Sequence, residues 1–173
     1  MEIPVGKWLL LIDLDGTLWD HLDISSLKPP FKKIGEGKIR DIDGVEVTLN
    51  RDIVDLVKWA RRNGAITSTL SWNIPWKAYK AIETFSIMSI FDYITVMNSD
   101  RKDEMIKDLL NKLREMGILI DICRIVYIDD RDIHIKEIYK NIGKIFFLQY
   151  GRDFSGFEDG RDRILKHLST CKK

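Results

Sequence analysis

The sequence predicts an α/β fold of three layers, in which helices cover both faces of a Rossmann-like parallel sheet of about five strands. One observation and one general rule predict it. Short apolar segments of strand length alternate along the chain with longer segments whose apolar residues recur at helical spacing. Connections from a strand through a helix to the next strand are right-handed and make neighbouring strands parallel. The connecting helices then cover the sheet on both sides.

The five predicted strands are short and mostly apolar. They are residues 7–13, 65–70, 91–97, 124–128 and 144–149. The first is the clearest, because its apolar run from Trp8 to Ile12 ends abruptly in Asp13. A continuous apolar run of this length is typical of a strand that is buried on both faces, as in a parallel sheet.

The five predicted helices are bounded by residues that favour helix ends. One lies between Asn50 and Gly64, and the others cover residues 75–85, 100–116, 133–142 and 162–168. Asn50 and Ser99 are predicted N-caps, because their side-chain oxygens can accept a backbone N–H of the first turn. Gly64 and Gly117 are predicted to end helices, because glycine adopts positive φ without strain.

Residues 20–49 separate the first strand from the first helix and are predicted to form a small flap, with no large cap domain. Prolines and glycines make residues 20–36 a predicted loop. Residues 38–49 are predicted as a β-hairpin around Asp43-Gly44, a dipeptide suited to the positive φ angles of a tight turn. Because 173 residues are few for two domains, residues 1–173 are predicted to form a single domain.

The composition argues against several classes of protein. The formal net charge of +1 is unlike that of a protein that binds nucleic acid or an anionic membrane surface. The apolar runs are too short to cross a bilayer and no secretion signal is recognised, so a cytoplasmic location is expected. Abundant charged residues and a single glutamine favour a thermophilic source.

The cysteines and histidines are expected to have no part in a site. Cys123 and Cys171 are too few for a disulfide framework or a metal-ligand cluster. Cys123 is predicted to line the core, and Cys171 is predicted to lie in a polar tail. His21, His134 and His167 show no ligand spacing with one another and are predicted to be surface or loop residues.

Polar residues occur at four places that should lie along one edge of the sheet. Asp13 and Asp15 end the first strand two residues apart, so their side chains point the same way. The others are Ser71 after the second strand, Lys102 after the third, and Asp129-Asp130 at the end of the fourth. Because sites in such folds form at the carboxyl ends of the parallel strands, we expect these side chains to converge.

Convergence of three or four carboxylates requires a cation. Two carboxylates about 4 Å apart repel each other by roughly 4 kcal/mol at an effective dielectric constant near 20. An all-oxygen site without histidine or cysteine suits Mg²⁺, which commonly also binds substrate phosphate. Lys102 and Ser71 would then contact the dianionic group that the metal holds. The sequence therefore predicts a site for Mg²⁺ and a phosphate group.

These residues, in this order, resemble the motif set of the haloacid dehalogenase superfamily of phosphohydrolases. The matching residues are Asp13-Leu14-Asp15-Gly16-Thr17, Ser71, Lys102 and Asp129-Asp130. Within the superfamily the chain is most similar to the capless magnesium-dependent phosphatases, in Trp19, in the loop Pro29-Pro30-Phe31 and in the hairpin containing residues 45–49. The resemblance covers residues 7 to about 151, and it implies an enzyme that hydrolyses phosphomonoesters through an aspartyl-phosphate.

The resemblance implies roles for the four acids. Asp13 would attack phosphorus and also bind Mg²⁺. Asp15 would protonate the leaving oxygen and later activate water, with its backbone carbonyl on the metal. Asp129 would bind the metal directly or through water. Asp130 would be a further ligand or a neighbour of one.

The resemblance also implies how the phosphoryl group is held. Lys102 would neutralise this group and orient the nucleophile, and Lys107 is a weaker candidate for the same role. Ser71 would donate a hydrogen bond to the phosphoryl group, with Trp72 and Asn73 beside it. Because Trp72 stands where related phosphatases often have arginine, the substrate is left open between phosphorylated small molecules, such as sugar phosphates, and phosphoproteins.

Three tryptophans are candidates for the rim of the pocket. Trp19 and Trp72 come soon after two of the strand ends that carry the motif residues, and this placement suggests aromatic phosphoesters such as phosphotyrosine. Trp76 is expected to pack against apolar residues instead. Without a large cap, the pocket is expected to be open, or to be closed by a second copy of the chain in a homo-oligomer.

Other functions fit the sequence less well. A phosphotransferase or mutase of the same superfamily usually needs a cap that excludes water. A receiver domain of a signalling pathway has the same groups, but its acid pair precedes the acceptor aspartate. Here the acceptor-like Asp13 comes first and Asp129-Asp130 comes last. A P-loop nucleotide hydrolase would need a G-x-x-x-x-G-K-[ST] run, which the sequence does not contain.

Overall fold

The computed structural model describes residues 6–171. Its strands are β1 (Trp8–Ile12), β2 (Lys32–Gly35), β3 (Lys38–Arg40), β4 (Glu46–Thr48), β5 (Ala65–Thr69), β6 (Ser71–Trp72), β7 (Val96–Met97), β8 (Ile125–Asp129) and β9 (Phe146–Gln149). Its helices are α1 (Arg51–Arg62), α2 (Pro75–Thr84), α3 (Lys102–Glu115), α4 (Ile135–Asn141) and α5 (Phe157–Thr170). No helix in this described range is both long and apolar enough to cross a bilayer.

The central sheet has the strand order β5-β1-β8-β9, and all neighbouring strands are parallel. Its register places Leu10 of β1 opposite Thr67 on one side and Val126 on the other. This arrangement confirms the predicted α/β class with a parallel sheet. Because β1 lies between β5 and β8, the carboxyl ends of these three strands meet at one edge, where a site is expected.

The predicted strand at residues 91–97 is present only as an irregular continuation of this sheet. Tyr93 forms a bridge with Ser68 of β5, and β7 pairs with β6 in a separate two-stranded ladder. The backbone N–H groups of Ser71 and Asn73 donate to carbonyls within residues 91–97, at 3.2 and 2.9 Å. The regular sheet therefore has four strands, and the fifth predicted strand forms its uneven edge.

Alternate side chains of β1 contribute to two apolar clusters, one on each face of the sheet. Trp8, Leu10 and Ile12 pack with residues of α1, α2 and α5. Leu9 and Leu11 pack with residues of α3 and α4. Successive side chains of a strand point to opposite faces, so one apolar run supplies both clusters. This packing confirms the three predicted layers.

The flap contains a small antiparallel sheet with the strand order β2-β3-β4. The hairpin predicted around Asp43-Gly44 corresponds to β3 and β4. β2 lies in the segment predicted as a loop, so the flap has one strand more than predicted. Three of the four residues of β2 are exposed, and pairing with β3, not an apolar pattern of its own, makes this segment a strand.

Within residues 6–171, the α-helices agree with the prediction in number and order, but the two predicted caps act differently. Asn50 precedes α1, yet its side-chain amide donates to the carbonyl of Thr17 at 3.2 Å and makes no capping bond. Ser99 accepts the backbone N–H of Arg101 at 3.2 Å, and α3 begins two residues later than predicted, at Lys102. Both side chains thus stabilise the loops that lead into the helices.

Cys123 and Cys171 form a disulfide, which contradicts the prediction for both residues. Cys123 lies in a short 3₁₀ helix just before β8, and Cys171 directly follows α5. α5 begins at Phe157, earlier than predicted, and it ends where Cys171 is buried, not in a polar tail. A sequence separation of 48 residues gives no indication of pairing, which depends on the positions of the Cα atoms in the fold.

Candidate active site

Three of the predicted site residues meet at the carboxyl ends of β1 and β8. Asp13 directly follows β1 and is almost fully buried. Its backbone N–H donates to the carbonyl of Ile128 at 2.9 Å, so the loop after β1 stays bonded to β8. Lys102 is the first residue of α3, and its Nζ lies 2.8 Å from Asp13 Oδ1. Asp129 ends β8, and its Oδ2 lies 2.8 Å from the same Nζ.

A tyrosine that the sequence analysis missed completes the surroundings of the Lys102 ammonium. Tyr127 Oη accepts an N–H of Lys102 at 2.8 Å and donates to Asp129 Oδ2. An ammonium group has three N–H donors, so Asp13, Asp129 and Tyr127 accept all of them. Tyr127 lies two residues before Asp129 in a strand, and side chains two apart point the same way. That spacing was the available signal.

Burial and pairing distribute the charges of this cluster unequally. Burial raises the pKa of Asp13 to about 7, although the Lys102 ammonium opposes this effect. Burial acts on Asp129 in the same direction, but the charge and hydrogen bonds of Lys102 and Tyr127 lower the pKa of that carboxyl. The pKa of Lys102 is raised, because the two carboxylates outweigh the effect of burial. The Lys102 ammonium therefore favours the ionised form of Asp129, whereas burial favours the protonated form of Asp13.

Asp130 is tied to the loop that follows β1. Thr17 Oγ1 accepts the backbone N–H of Asp130 at 2.9 Å and donates to Asp130 Oδ1 at 3.2 Å. Gly16 has a φ of +71°, and a Cβ at this position would lie 2.6 Å from Asp130 Oδ2. Only glycine fits beside the carboxylate in this conformation. Gly16 and Thr17 thus determine where Asp130 lies.

Asp13, Asp129 and Asp130 could hold a divalent cation together. Each offers one carboxylate oxygen, and these three atoms lie within 4.8 Å of one another. An all-oxygen set of this kind fits Mg²⁺. Burial and the neighbouring Asp129 raise the pKa of Asp130, so a cation at this point would relieve the cost of gathering the negative charges.

The carboxylate of Asp15 makes different contacts. Trp19 Nε1 and the backbone N–H of Ile24 donate to its Oδ1, at 2.8 and 3.1 Å. Asn73 Nδ2 donates to its Oδ2 at 2.7 Å. Burial raises the pKa of Asp15, although the bonds from Trp19 and Ile24 oppose this effect. Asp15 is therefore a half-buried acid whose two oxygens are both fixed by hydrogen bonds.

The residues that follow β5 differ in their exposure and in their contacts with these acids. Ser71 is buried, whereas 49% of Trp72 is exposed to solvent. Asn73, which was predicted beside the phosphate, is buried and uses its amide to hold Asp15. Trp19 is also buried and does not form an open rim. Trp76 is exposed, which contradicts the expectation that it packs against apolar residues.

His134 lies in the turn before α4, in agreement with the predicted surface or loop position, but its side chain is buried and does not lie on the surface. Its ring stands edge-on to Trp72, with 6.5 Å between the ring centroids. Burial and the nearby Lys102 ammonium lower the pKa of His134, so its neutral form is favoured. Lys107, the weaker candidate for the role of Lys102, is exposed on α3.

Comparisons with solved structures find similar folds, although no protein-family model and no curated protein matches the sequence. A haloacid dehalogenase superfamily hydrolase from Ehrlichia chaffeensis has a TM-score of 0.65 at 15% identity, over 97% of this chain and 99% of that one. The 3-deoxy-D-manno-octulosonate 8-phosphate phosphatase of Moraxella catarrhalis, in complex with magnesium and phosphate ions, has a TM-score of 0.52 at 14% identity. That match covers 92% of this chain and 86% of the other.

A third similar structure is longer than this chain. It is the N-terminal part of a Bacteroides fragilis protein that contains a phosphatase domain complexed with magnesium. The TM-score is 0.58 at 16% identity, over 97% of this chain but only 41% of the other. At these identities the similarities concern the fold. They confirm that the chain has the fold of haloacid dehalogenase superfamily hydrolases, as the motif set implied.

Proposed function

We propose that the protein is a Mg²⁺-dependent phosphatase that hydrolyses phosphomonoesters through an aspartyl-phosphate on Asp13. The observation that carries this proposal is the contact of one buried ammonium, Lys102, with both Asp13 and Asp129 at 2.8 Å. With Asp130, the cluster has three carboxylates and one ammonium, so a single divalent cation would balance its charge. Buried charges are costly, and clusters of this kind are typical of functional sites.

In the first step, we propose that a carboxylate oxygen of Asp13 attacks the phosphorus of the ester. The bond from phosphorus to the leaving oxygen breaks, and that oxygen takes the proton of Asp15. The raised pKa of Asp15 favours the protonated form that this step requires. All three N–H groups of Lys102 already have protein acceptors, so contact with a phosphoryl oxygen requires one of these bonds to be exchanged.

In the second step, water attacks the phosphorus of the aspartyl-phosphate. Asp15, now ionised, takes a proton from that water, and the bond between phosphorus and Asp13 breaks. Inorganic phosphate leaves, Asp13 is a carboxylate again, and Asp15 is protonated for the next cycle. Splitting the displacement into two steps is the usual advantage of a covalent nucleophile.

Mg²⁺ would be held by Asp13, Asp129 and Asp130, whose oxygens lie within 4.8 Å of one another. When bound, the ion would supply positive charge that stabilises the phosphoryl group during the reaction. Thr17 and Gly16 serve this site indirectly, because they fix the position of Asp130.

For the substrate, we propose phosphorylated small molecules or exposed phosphoester groups on proteins, with a preference for aromatic esters such as phosphotyrosine. The support for this preference is the half-exposed Trp72 directly after Ser71, backed by the ring of His134. Removal of the ring in Trp72→Ala should lower kcat/KM for an aryl phosphate more than for a sugar phosphate. Equal changes for both substrates would argue against an aromatic preference.

Transfer of the phosphoryl group to an acceptor other than water is a second candidate. No specific contact favours it, and the exposure of Trp72 beside Ser71 favours access of water. Phosphoacceptor signalling would require the aspartyl-phosphate to accumulate. The half-buried acid Asp15 supports hydrolysis instead, because it can activate the water that removes the phosphoryl group.

The proposal is tested by the release of phosphate from p-nitrophenyl phosphate, with and without Mg²⁺. We expect turnover that depends on Mg²⁺ and that falls by at least about a thousandfold in Asp13→Asn, because the nucleophile is lost. Asp55→Asn is the matched control, because Asp55 is an exposed acid on α1 and its neutralisation should leave the rate unchanged. Undiminished turnover in Asp13→Asn would falsify the assignment of the nucleophile.

A further inference from the structure

Cys123, His167 and Cys171 form a compact group far from the candidate active site. His167 and Cys171 are four residues apart at the end of α5, a spacing that places two side chains on one face of a helix. Cys123 precedes β8, whereas Asp129 ends it. The five residues of β8 separate the two sites by about 13 Å of strand.

The imidazole of His167 is held against both sulfurs. Its Nε2 lies 3.9 Å from Cys123 Sγ and 3.7 Å from Cys171 Sγ. The ring stacks on Phe146 with 3.9 Å between centroids and 1° between planes. Nε2 also lies 2.8 Å from the carbonyl oxygen of Cys123, to which it donates while it carries the ring proton.

Two of the three distances between these ligand atoms match those in a tetrahedral metal site. Zn²⁺ binds cysteine sulfur at about 2.3 Å and histidine nitrogen at about 2.0–2.1 Å, so tetrahedral geometry separates sulfur from nitrogen by about 3.6 Å. The two sulfur–nitrogen distances in the structure are already close to that value. The two sulfurs must move apart, to about 3.8 Å, once the disulfide is reduced. Cys171 can supply this movement, because it lies just beyond the end of α5.

We propose that the dithiol form of this group is a binding site for a thiophilic divalent cation of the Zn²⁺ class, with Cys123, His167 and Cys171 as ligands. A dithiol or phosphine reductant supplies the two electrons that break the disulfide, and the sulfurs take up two protons. Binding of the cation then releases those thiol protons, because the thiolate is the ligand. His167 moves its ring proton to Nδ1 and gives up the bond to the carbonyl, and water takes the fourth position.

The two forms of the group would have the same structural effect. The disulfide joins the end of α5 covalently to the 3₁₀ helix that precedes β8, and the cation would join the same two places through its ligands. Disulfides are rare in reducing compartments, where thiols are kept reduced. In such a compartment the cation would replace the disulfide as the link that holds α5 to the sheet.

The experiment uses the full chain, stripped of metal and reduced under an inert atmosphere with a phosphine, and Co²⁺ as the probe. We expect one equivalent of Co²⁺ to produce the near-ultraviolet absorption of cobalt–thiolate bonds, and Zn²⁺ to displace it. The oxidised protein should show no such band. Cys171→Ser and His167→Ala should weaken Co²⁺ binding at this site at least about tenfold. His21→Ala is a control, because that histidine lies in the flap.

The readout is independent of phosphatase activity and of the acidic site. Carboxylates at Asp13, Asp129 and Asp130 could also bind Co²⁺, but oxygen ligands do not give the thiolate band. The band should therefore persist in Asp13→Asn. Absence of the band in the reduced parent would overturn the proposal, and so would an equal band in the oxidised protein. An unchanged band in Cys171→Ser would do the same, and the comparison of reduced and oxidised parent requires no variant to fold.

Discussion

The ammonium of Lys102 and the hydroxyl of Tyr127 are 2.8 Å apart, and both side chains are almost fully buried. The same hydroxyl donates to Asp129. Tyr127 therefore links Lys102, which is proposed to contact the phosphate, to Asp129, which is proposed to bind the metal. Loss of this hydroxyl would leave one N–H of Lys102 without an acceptor. It would also remove one of the two donors to Asp129 Oδ2, which would keep its bond from Lys102, and the strand and the ring could stay in place.

We therefore expect Tyr127→Phe to fold and to lower kcat by about ten- to a hundredfold. An unpaired donor in the interior costs about 1–3 kcal/mol, so the free energy of unfolding should fall by a similar amount. Steady-state kinetics and urea unfolding measure the two effects. Tyr79→Phe, at an exposed position of α2, is the control and should change neither quantity. Normal kcat in Tyr127→Phe would show that the hydroxyl has no part in catalysis.

Lys102→Met should abolish the proposed activity and make the fold depend on a cation. The side chain is similar in length, but Asp13 and Asp129 lose their only shared positive partner in the described residues. Removing one partner of a buried ion pair costs about 3–5 kcal/mol. We expect thermal unfolding at a lower temperature, with a larger gain on addition of Mg²⁺ than in the parent. Lys107→Met, on the exposed face of α3, should behave like the parent.

The affinity for Mg²⁺ should increase with pH up to about neutrality. The pKa of Asp13 is raised to about 7, so below that pH a proton must leave before the carboxylate can bind the ion. We expect a slope of up to about tenfold per pH unit below 7 and a plateau above it. Calorimetric titration with Mg²⁺ from about pH 5.5 to about pH 8.5 measures this slope on both sides of that pKa. A flat profile would show that Asp13 is already ionised across this range.

The same group gives the metal-free protein a stability that falls as pH rises. The ordinary pKa of Asp13 is 3.8, so between that value and about 7 the folded state binds more protons at this residue than the unfolded state. Stability from this group is therefore lost as pH rises through that window. Asp13→Asn removes the titration of this group. In urea unfolding, the free energy of unfolding of the variant minus that of the parent should therefore increase with pH. A difference that is constant with pH would contradict this expectation.

Gly16→Ala should impair the metal site through Asp130. The new Cβ would lie 2.6 Å from Asp130 Oδ2, so the carboxylate would have to move. We expect weaker binding of Mg²⁺ and a loss of stability of about 1–3 kcal/mol from the positive φ and the clash. Gly44→Ala is a matched control, because Gly44 in the flap also has positive φ, but a Cβ there would meet no described atom within 4 Å. It should lose stability without a change in Mg²⁺ affinity.

The disulfide should stabilise the oxidised protein substantially. Cys123 and Cys171 close a loop of 48 residues, for which the loss of chain entropy in the unfolded state corresponds to about 4 kcal/mol. Cys123→Ser should lower the free energy of unfolding by up to that amount without reductant. In the presence of reductant and a metal chelator, parent and variant should differ little. Equal stability under oxidising conditions would show that the bond does not form.

Residues near Asp13 show how much of the site could be predicted. Strands β1 and β8 are continuous apolar runs that end in acids, so both the strands and the acids at their ends were evident. Lys102 was identifiable only by its place in the order of motifs. Tyr127 was hidden, because an aromatic residue in a buried strand normally indicates core packing.

Features that depend on contacts between distant segments could not be predicted. β2 is polar and becomes a strand through pairing with β3. Cys123 and Cys171 have no meaningful spacing, and their contact depends on where α5 packs. The direction of the Asn73 amide is decided by Asp15, 58 residues earlier in the chain. In each case the determining partner lies far away in sequence.

The hydrogen bonds that hold the Asp15 carboxylate link this proposed proton donor to α2. The backbone N–H of Ile24 holds Asp15, and the 3₁₀ helix that begins at Ile24 is held in turn by Lys77 of α2. The ammonium of Lys77 donates to the carbonyls of Ser25 and Leu27, at 2.5 and 2.9 Å. Reorientation of the Asp15 carboxylate therefore requires it to break a hydrogen bond with a segment that Lys77 of α2 holds in place. A ligand that broke the hydrogen bonds of Lys77 would change the position of Asp15, and therefore its proton transfer, without contacting the phosphoryl group.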